Sequence, residues 1–399
     1  MKRSIYVVDD QAGVLDTMVL VLSCVDPEWA VRGFRDPFEA LAAVKASPPD
    51  LIVSDQLMPG MQGSQLLEEV RSVSPATVRV IMSGYVALNK LTLITSAHQY
   101  LAKPFDNAHL RQLIHRSFAA RDRITDRGLQ NVITGLKSIP SLRQVHQSLL
   151  AELEDNRHAS TSIGQLVASD PGLSVKVLQL ANSPLFGQGD LISSPVDAVI
   201  CLGTDLVAAL VFSQTLFRHY DKLSHADIDV ERIWNHCWEV AYLAQHICRE
   251  KGLARRAGEE AFLAGLLHES GRLILSDNFR DQFHTACEAA RLAKSPLAPH
   301  LREVFQASSL QLTAWLLELW GLPVNVINAI AALDKPEAPV NGEFSVAAAL
   351  CVADRLTCRK SPPDDFAVED LDPDYLKSIG CADDVSGWKE LPLMDQPRQ

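Results

Sequence analysis

Several features of exported, membrane-inserted or nucleic-acid-binding proteins are missing from this 399-residue sequence. None of its 8 cysteines stands in a C-x-x-C pair, and Met1–Arg3 lead directly into a short strand-like run, not into the longer apolar segment of a signal peptide. No run approaches the roughly 18 consecutive apolar residues of a membrane span. The formal net charge of -12 argues against a bulk electrostatic attraction to nucleic acid or anionic lipid. We therefore expect a cytoplasmic protein with reduced thiols and no direct contact with nucleic acid or membrane.

The residues that are present predict more than one domain. Hydrophobic residues make up 47% of the chain and charged residues 22%, which is typical of globular proteins, and the length exceeds that of one ordinary domain. In the first 120 residues short apolar runs alternate with helix-period segments, which predicts an α/β domain with a doubly wound, five-stranded parallel sheet. The runs are Ile5–Val8, Ala30–Phe34, Leu51–Val53, Val78–Met82 and Tyr100–Ala102.

The second half predicts an all-α, HD-like domain, because strand alternation is missing from about residue 136 onward. We assign 1–120 to the first domain, 121–135 to a connecting helix, 136–375 to the helical domain and 376–399 to a frayed tail. The arginine-rich stretch from 107 to 130 is interpreted as a last helix of the first domain running into the connecting helix. Packing on its own domain is favoured over a dimer seam there, although a homodimer remains open. The helix-period segments are Leu142–Leu153, Ser162–Ala168, Leu173–Leu180, Asp205–Leu216, Ile233–Cys248, Glu259–Leu275 and Leu310–Leu319.

Polar residues follow four of the five predicted strands of the first domain. Asp9 and Asp10 end the first run, Asp55 the third, Ser83 the fourth and Lys103 the fifth. The carboxyl ends of central parallel strands meet at one edge of a sheet, where ligands bind. Three carboxylates gathered there require a hard cation, and Mg²⁺ suits such oxygen ligands. A carboxylate nucleophile can accept a phosphoryl group, with Mg²⁺ and a lysine neutralising the transferred charge. One strand-end Asp alone would be a helix cap, but the joint occurrence predicts a site.

These motifs resemble the receiver domain of the response-regulator family over residues 4 to about 119. The matching stretches are Val7–Asp10, Ser54–Gly63, Met82–Gly84 and Lys103–Phe105. The resemblance implies a cis Lys103–Pro104 bond and phosphorylation of one aspartate by a sensor histidine kinase.

The family pattern also implies a role for each site residue. The acceptor is Asp55; Asp10, Asp55 and the backbone carbonyl of Leu57 bind Mg²⁺ directly, and Asp9 assists through water. Ser83 is the switch hydroxyl, Lys103 faces the phosphate, and Tyr100 is the aromatic residue that turns inward on activation.

A second resemblance covers roughly residues 130 to 375. The stretches Ser169–Leu173, Trp234–His236, Gly265–Gly271 and Leu316–Pro323 are similar in order and spacing to the HDOD family. This family is related to the HD-type metal phosphohydrolases and serves mostly in signalling. The resemblance implies an output domain that binds a downstream protein.

The hydrolase centre of the HD superfamily looks degenerate here. Such a centre needs several histidines and carboxylates around one or two metals. His268 is followed by Glu269 where working relatives have Asp, and the extra methylene displaces the carboxylate. With His236 these residues form the degenerate HD site, in which a buried histidine bonded to a carboxylate is favoured over a metal ligand. Asp354, beside Arg355, could in principle be a last metal ligand, but half of a solvated ion pair is the favoured interpretation.

Together these patterns predict a phosphorylation-dependent response regulator with a non-catalytic, protein-binding output. Two alternatives remain: a receiver-gated metal-dependent phosphohydrolase or phosphodiesterase, and a sensor in which the old hydrolase pocket binds a nucleotide. The patterns identify neither the kinase nor the downstream partner, nor the direction in which phosphorylation changes the output.

Overall fold

The computed structural model describes residues 3–26, 28–83, 96–124, 126–136, 143–154, 160–183, 191–212, 227–336, 344–360 and 371–390. The N-terminal part contains a five-stranded parallel sheet with strand order β2-β1-β3-β4-β5, which confirms the predicted α/β fold. Its strands are β1 (Arg3–Val8), β2 (Trp29–Phe34), β3 (Leu51–Asp55), β4 (Val78–Ser83) and β5 (Gln99–Ala102).

The register of the sheet brings the carboxyl ends of its central strands to one edge. Val8 pairs with Ser54, Asp55 with Met82 and Ser83 with Ala102. Every residue of β3 and of β4 is buried, as expected for parallel strands covered by helices on both faces. The polar strand ends therefore emerge together from an apolar sheet.

Helices cover the sheet and connect it to the second half. Asp126 starts a separate helix after the one that ends at Asp122, because its side chain accepts a hydrogen bond from the Leu129 amide at 2.8 Å. The last helix of the sheet domain and the connecting helix are thus two elements joined by a turn, not one continuous helix. The helices of this part are α1 (Ala12–Val25), α2 (Pro37–Ala46), α3 (Gly63–Val73), α4 (Asn107–Asp122) and α5 (Arg127–Gly135).

Beyond α5 every regular element of the described residues is helical, which confirms the predicted all-α half. No described helix is long and apolar enough to cross a membrane. The helices are α6 (Arg143–Glu154), α7 (Ser160–Ala168), α8 (Pro171–Ala181), α9 (Pro195–Leu202), α10 (Thr204–Phe212), α11 (Val230–Glu250), α12 (Arg255–Leu267), α13 (Ser270–Asn278), α14 (Arg280–Ala293), α15 (Leu297–Phe305), α16 (Ser309–Leu319), α17 (Val324–Leu333), α18 (Val346–Lys360), α19 (Pro373–Ser378) and α20 (Val385–Glu390).

The predicted single segment from 259 to 275 is wrong, because the helix breaks at His268 and Glu269. The cause is a close approach of α13 to α16. A Cβ on Gly271 would lie 2.0 Å from the Ser309 carbonyl oxygen, and the Gly271 amide donates to Thr313 Oγ1 at 2.8 Å. The apolar periodicity of the sequence continues across this break, so the sequence pattern does not predict the break.

The predicted frayed tail is also wrong for residues 376–390. Trp388 and Val385 are buried, the Trp388 indole N–H donates to Glu250, and the Lys251 ammonium donates to Gly380 O at 3.0 Å. A tryptophan that finds both an apolar pocket and a partner for its N–H anchors a chain end. Residues 391–399, the end of the predicted tail, lie outside the described residues.

The sheet domain and the helical domain share one apolar core. Helix α4 buries Leu110, Ile114 and Phe118, and it also contacts α16 of the helical domain. One cluster of buried apolar residues extends from β1 through α4 and α5 to the helical bundle, while other residues of the sheet pack in a separate cluster with α2 and α3. The α4 face is therefore packed within the chain, as favoured from the sequence.

Candidate functional sites

The first candidate site lies at the carboxyl edge of the sheet. Lys103 Nζ is 2.7 Å from Asp9 Oδ2 and 2.5 Å from Asp55 Oδ1. The Leu57 amide donates to Asp55 Oδ2 at 2.7 Å, and the Gln11 amide donates to Asp9 Oδ1 at 2.9 Å. Both carboxylates are buried. The structure thus brings the predicted lysine and two of the predicted carboxylates into direct contact.

Burial and the neighbouring charges shift the pKa values of Asp55 and Lys103 in opposing directions. Burial raises the pKa of Asp55, the Lys103 ammonium opposes that shift, and the like charge of Asp9 adds to it. Burial alone would lower the pKa of Lys103, but its contacts with Asp55 and Asp9 outweigh burial, so the pKa is raised. Lys103 therefore carries its charge at neutral pH, while Asp55 is harder to ionise than an exposed aspartate.

The remaining carboxylate fits the predicted magnesium ion. Asp10 Oδ1 is buried and has no hydrogen-bond partner among the described residues, and an orphaned carboxylate oxygen just after β1, at the carboxyl edge of the sheet, is the donor that a hard cation requires. Asp9, in contrast, uses both oxygens for Gln11 and Lys103. That difference agrees with direct ligation by Asp10 and an indirect role for Asp9.

Two glycines shape the loop after Asp55. A Cβ on Gly63 would lie 2.0 Å from the Asp55 carbonyl oxygen, and Gly60 has φ +80°. Only glycine tolerates that approach and favours that backbone conformation. Buried Gln56, a residue that sequence reasoning missed, holds the loop by accepting from the Ser64 amide at 3.0 Å. Its position next to the acceptor was the only available signal.

The predicted switch residues lie beside the same edge. Ser83 is buried at the end of β4, and its carbonyl accepts from the Lys103 amide at 3.0 Å. The Tyr100 side chain is buried next to Ile81, and burial raises the pKa of its hydroxyl. The Lys103–Pro104 bond is cis. Gly84, part of the fourth motif, lies outside the described residues.

The second candidate site lies between α11, the α12–α13 junction and α18. His236 Nε2 is 3.2 Å from Asp354 Oδ1 and 3.3 Å from His268 Nε2. Asp354 is 8% exposed, and its other oxygen is 3.9 Å from Arg355 Nη1. The interpretation of Asp354 as part of a solvated ion pair is therefore wrong. Its carboxylate is drawn inward because two buried imidazoles need an acceptor.

Glu269 stands at the margin of this histidine cluster. One of its oxygens is 3.9 Å from His268 Nε2, and the other is 3.4 Å from Arg272 Nη1. The Glu269 carboxylate therefore lies with one oxygen toward the cluster and the other toward Arg272, one turn further along the chain.

Interactions within the cluster shift the pKa values of His268 and Asp354 in opposite directions. Burial alone would lower the pKa of His268, but contacts with Cys237 and Asp354 outweigh burial and hold it well above its usual value. Burial alone would raise the pKa of Asp354, but hydrogen bonds from His236 and His268 hold it well below.

Sequence reasoning missed one further member of the cluster. Cys358 Sγ lies 3.6 Å from Asp354 Oδ1 and 3.7 Å from His236 Nε2. The available signal was its spacing, since residues four apart share one face of a helix.

Comparisons with known proteins agree with both halves of the fold. Residues 5–115 match the family model described as response regulator receiver domain, and residues 139–336 match the HDOD domain. The hydrogenase transcriptional regulatory protein HoxA of Cupriavidus necator is 31% identical over 161 residues, covering 38% of this chain and 32% of HoxA. The cyclic di-GMP phosphodiesterase response regulator RpfG of Xanthomonas campestris is 26% identical over 210 residues, covering 47% of this chain and 55% of RpfG.

The chain matches between a third and just over half of the length of these curated relatives. Among solved structures, the MmoQ response regulator of Methylococcus capsulatus is similar in fold, with a TM-score of 0.50 and 23% identity, covering 63% of this chain and 98% of that one. The sheet, its acidic edge and the matched models define a response regulator. More particularly, the chain carries a response regulator receiver domain followed by an HDOD domain.

Proposed function

We propose that Asp55 accepts a phosphoryl group from a sensor histidine kinase and that this controls a non-catalytic, protein-binding output of the HDOD domain. The observation that carries the proposal is the contact of Lys103 with both Asp9 and Asp55 at the sheet edge. A half-buried lysine held there by two carboxylates is placed to neutralise an added anionic group.

The residues of the site fit in-line phosphoryl transfer. A carboxylate oxygen of Asp55 attacks the phosphorus of a phosphohistidine, an O–P bond forms, the P–N bond breaks, and the imidazole keeps the electron pair. Lys103 balances charge on the phosphoryl oxygens, and the Ser83 hydroxyl is the proposed donor to one of them. Mg²⁺ held by Asp10, Asp55 and the Leu57 carbonyl supplies the remaining positive charge when bound.

Side-chain contacts link the switch strands to the output domain. Gln99 Nε2, at the start of β5, donates to the Leu319 carbonyl at 2.7 Å. Gln179 Nε2, from α8, donates to the His98 carbonyl at 3.1 Å. His98 and Gln99 directly precede Tyr100 in the chain. A movement of the Tyr100 ring can therefore reach α8 and α16 through only one or two residues. A two-state change at the phosphorylated edge thus biases the output domain.

The contacts of the histidine cluster support a non-catalytic output. His236, His268 and Asp354 are engaged with one another, and Glu269 is shared with Arg272. An HD-type hydrolase directs such groups at a metal-bound water. Two rival functions are a phosphodiesterase, as the name of the relative RpfG states for that protein, and a nucleotide sensor. The experiments below distinguish both from the proposed function.

Hydrogen–deuterium exchange of the full chain with Mg²⁺, with and without beryllofluoride as an acyl-phosphate mimic, tests the switch. We expect changed protection near Ser83 and Tyr100 and in α8 and α16. Asp55→Asn, which removes the nucleophile but keeps its shape, should abolish both effects. No response in the wild type would disprove Asp55 as an acceptor. A response confined to residues before 120 would disprove control of the output.

A second experiment tests the output itself. Wild type and Glu269→Asp are incubated with cyclic di-GMP and Mn²⁺, and both products and thermal shift are recorded. We expect neither hydrolysis nor a shift for wild type. Turnover by the wild type would establish the enzyme, and a shift without turnover would establish the nucleotide sensor.

A further inference from the structure

Basic side chains of the sheet domain bind the carboxyl end of the connecting helix α5. Arg79 Nη2 and His98 Nε2 each lie 2.7 Å from the carbonyl oxygen of Thr134, the next-to-last residue of α5. Arg71 Nη1, from the last turn of α3, lies 3.4 Å from the Gly135 carbonyl oxygen. The last carbonyls of a helix lack partners within the helix and carry partial negative charge, which cationic donors stabilise. The end of α5 is therefore fixed to the sheet domain.

Arg79 is a buried cation that depends on carbonyl partners. Its side chain is 1% exposed, and it donates to the carbonyl oxygens of Ser96 at 3.0 Å, Thr77 at 3.1 Å and Pro75 at 3.4 Å. Burial, with a contribution from the like charge of Arg71, lowers the pKa of Arg79 to about 9, so the guanidinium is still charged at neutral pH. A buried charge needs every such partner, and the end of α5 supplies one of them.

The tautomer of His98 follows from its contacts. The Arg79 backbone amide donates to His98 Nδ1 at 2.9 Å, so Nδ1 accepts and the hydrogen of the neutral ring is on Nε2, which faces the Thr134 carbonyl oxygen. Burial and the charge of Arg79 lower the pKa of His98 well below its usual value, which keeps the ring neutral. The imidazole therefore bridges the backbone of β4 and the end of α5.

The same two strands carry the predicted switch residues at their other ends. Arg79 is the second residue of β4 and Ser83 is the last, while His98 directly precedes β5 and Lys103 directly follows it. At about 3.3 Å per residue, roughly 13 Å of strand separates Arg79 from Ser83. Because a close-packed sheet transmits displacement instead of absorbing it, a shift of either strand at Ser83 or Lys103 reaches the end of α5.

We propose that Arg71, Arg79 and His98 form a clamp through which β4 and β5 reposition the connecting helix α5 when Asp55 is phosphorylated. This inference rests on the proposed function and adds a route to it. Helix α5 in turn contacts α16 of the helical domain. The route is distinct from the Gln179 contact, which uses the His98 carbonyl and not its side chain.

Two amide substitutions at His98 separate its two hydrogen bonds. In His98→Asn the side-chain oxygen lies as many bonds from Cα as Nδ1 does, so it can still accept from the Arg79 amide, but no donor reaches Thr134. In His98→Gln the side-chain nitrogen lies as many bonds from Cα as Nε2 does, so the donor to Thr134 is kept. The backbone carbonyl that binds Gln179 is present in both variants.

Hydrogen–deuterium exchange of the full chain with Mg²⁺, with and without beryllofluoride, is the test. We expect wild type to respond near Ser83, in α8 and in α5. His98→Asn should exchange the last turn of α5 roughly 2- to 10-fold faster before beryllofluoride is added, as loss of one hydrogen bond predicts. It should also lose the α5 response while keeping those near Ser83 and in α8. His98→Gln should behave as wild type in α5.

A third variant covers the case in which His98→Asn does not fold. Arg71→Met, at a partly exposed position, removes one clamp contact and should likewise speed exchange of the last turn of α5.

The outcomes distinguish the clamp from the function on which it rests. No wild-type response near Ser83 would overturn the proposed function and the clamp's role with it. A wild-type response near Ser83 together with an α5 response that His98→Asn leaves intact would overturn the clamp alone. Equal loss of the α5 response in His98→Asn and His98→Gln would also overturn it, since ring packing and not the donor to Thr134 would then matter. Unchanged α5 exchange in Arg71→Met would exclude Arg71 from the clamp.

Discussion

The Asp55 carboxylate lies between a lysine and a second carboxylate, and the balance of these charges sets the pH at which it ionises. Burial and Asp9 raise its pKa above the ordinary value of 3.8 despite Lys103. The folded state therefore holds this proton more tightly than the unfolded state does. Between 3.8 and the raised pKa, stability from this group decreases as pH rises, and below the raised pKa the Asp55 carboxyl, the proposed nucleophile, is protonated.

Replacing Asp9 should make Asp55 easier to ionise. Asp9→Asn removes the like charge and leaves Lys103 to Asp55, so the Asp55 titration should move to lower pH. Carboxyl ¹³C resonances of the aspartate-labelled chain, recorded in magnesium-free buffer, measure both midpoints, and Asp55→Asn identifies the resonance. A midpoint unchanged by Asp9→Asn would show that burial alone sets the pKa.

The two sites differ in how far single residues could be predicted. The positions of Asp9, Asp10, Asp55, Ser83 and Lys103 were predictable because each lies at or just after the carboxyl end of a strand, and parallel strands bring these ends to one edge. The Asp354–His236 contact spans 118 residues of sequence and arises only when α18 packs on α11, so no local pattern marks it.

Close packing of two helices determines the position of the histidine cluster. A Cβ on Gly265, in α12, would lie 2.6 Å from Ala241 Cα in α11, so the helices can approach this closely only at a glycine. Of the cluster residues, His236 lies on α11 and His268 directly follows α12, each within one or two turns of the contact.

Gly265→Ala should therefore separate the helices. We expect a loss of about 3 kcal/mol of unfolding free energy from overpacking, measured by urea denaturation. Gly258→Ala, on the same helix, would meet only Gln245, with Cγ at 3.6 Å and the carbonyl oxygen at 3.8 Å, and should gain roughly 0.5–1 kcal/mol from helix propensity. Equal behaviour of the two variants would contradict the packing argument.

The end of α16 connects the helical domain to β5. Gly321 follows this helix with φ +74°, and its Cβ would lie 3.0 Å from the Gln99 side chain, whose amide binds the Leu319 carbonyl. Gly252 has nearly the same φ, +72°, with nothing within 4 Å of its Cβ. The two glycines therefore differ only in what lies beside them.

Alanine at each of these positions separates strain from coupling. Both variants should lose about 1–2 kcal/mol, because a left-handed conformation disfavours a Cβ. Only Gly321→Ala should also reduce the beryllofluoride response of α16 in hydrogen exchange, since it displaces Gln99. If Gly252→Ala reduced that response equally, the loss would reflect stability and not the Gln99 contact.

The elements themselves were mostly predictable, and their ends were not. Apolar periodicity located all five strands and the α-helical second half, but it ran through the break at His268 and Glu269, because the cause is the approach of Gly271 to Ser309 in α16. In the same way, the sequence around Trp388 predicted a polar tail, because the pocket that holds this side chain beside Glu250 is built from residues distant in sequence.

At the scale of the whole molecule, an ion pair between Arg123 and Glu318 joins the two domains at the surface. Arg123 Nη1 is 2.7 Å from Glu318 Oε2, and the arginine side chain is 54% exposed. Such a pair contributes less than about 1 kcal/mol because water and salt screen it. It can therefore orient the domains without determining their stability.

Reversing these charges should test that role. Arg123→Glu places two carboxylates together and should weaken the beryllofluoride response of α16 at low salt, with less effect at high salt. The double variant Arg123→Glu with Glu318→Arg should restore the response. Failure of the double variant to restore it would show that the pair has no part in coupling.

The shared core has a consequence for how such proteins can be recombined. Leu129 and Ile133 of α5 are buried in the same apolar cluster as residues of α4 and of the helical bundle. Dividing the chain at residue 120 would therefore expose apolar surface on both fragments. A chimera that borrows a foreign receiver would have to carry α4 and α5 with it and find a matching α16. Each half is therefore expected to depend on the other to cover its apolar surface, although each resembles a separate family.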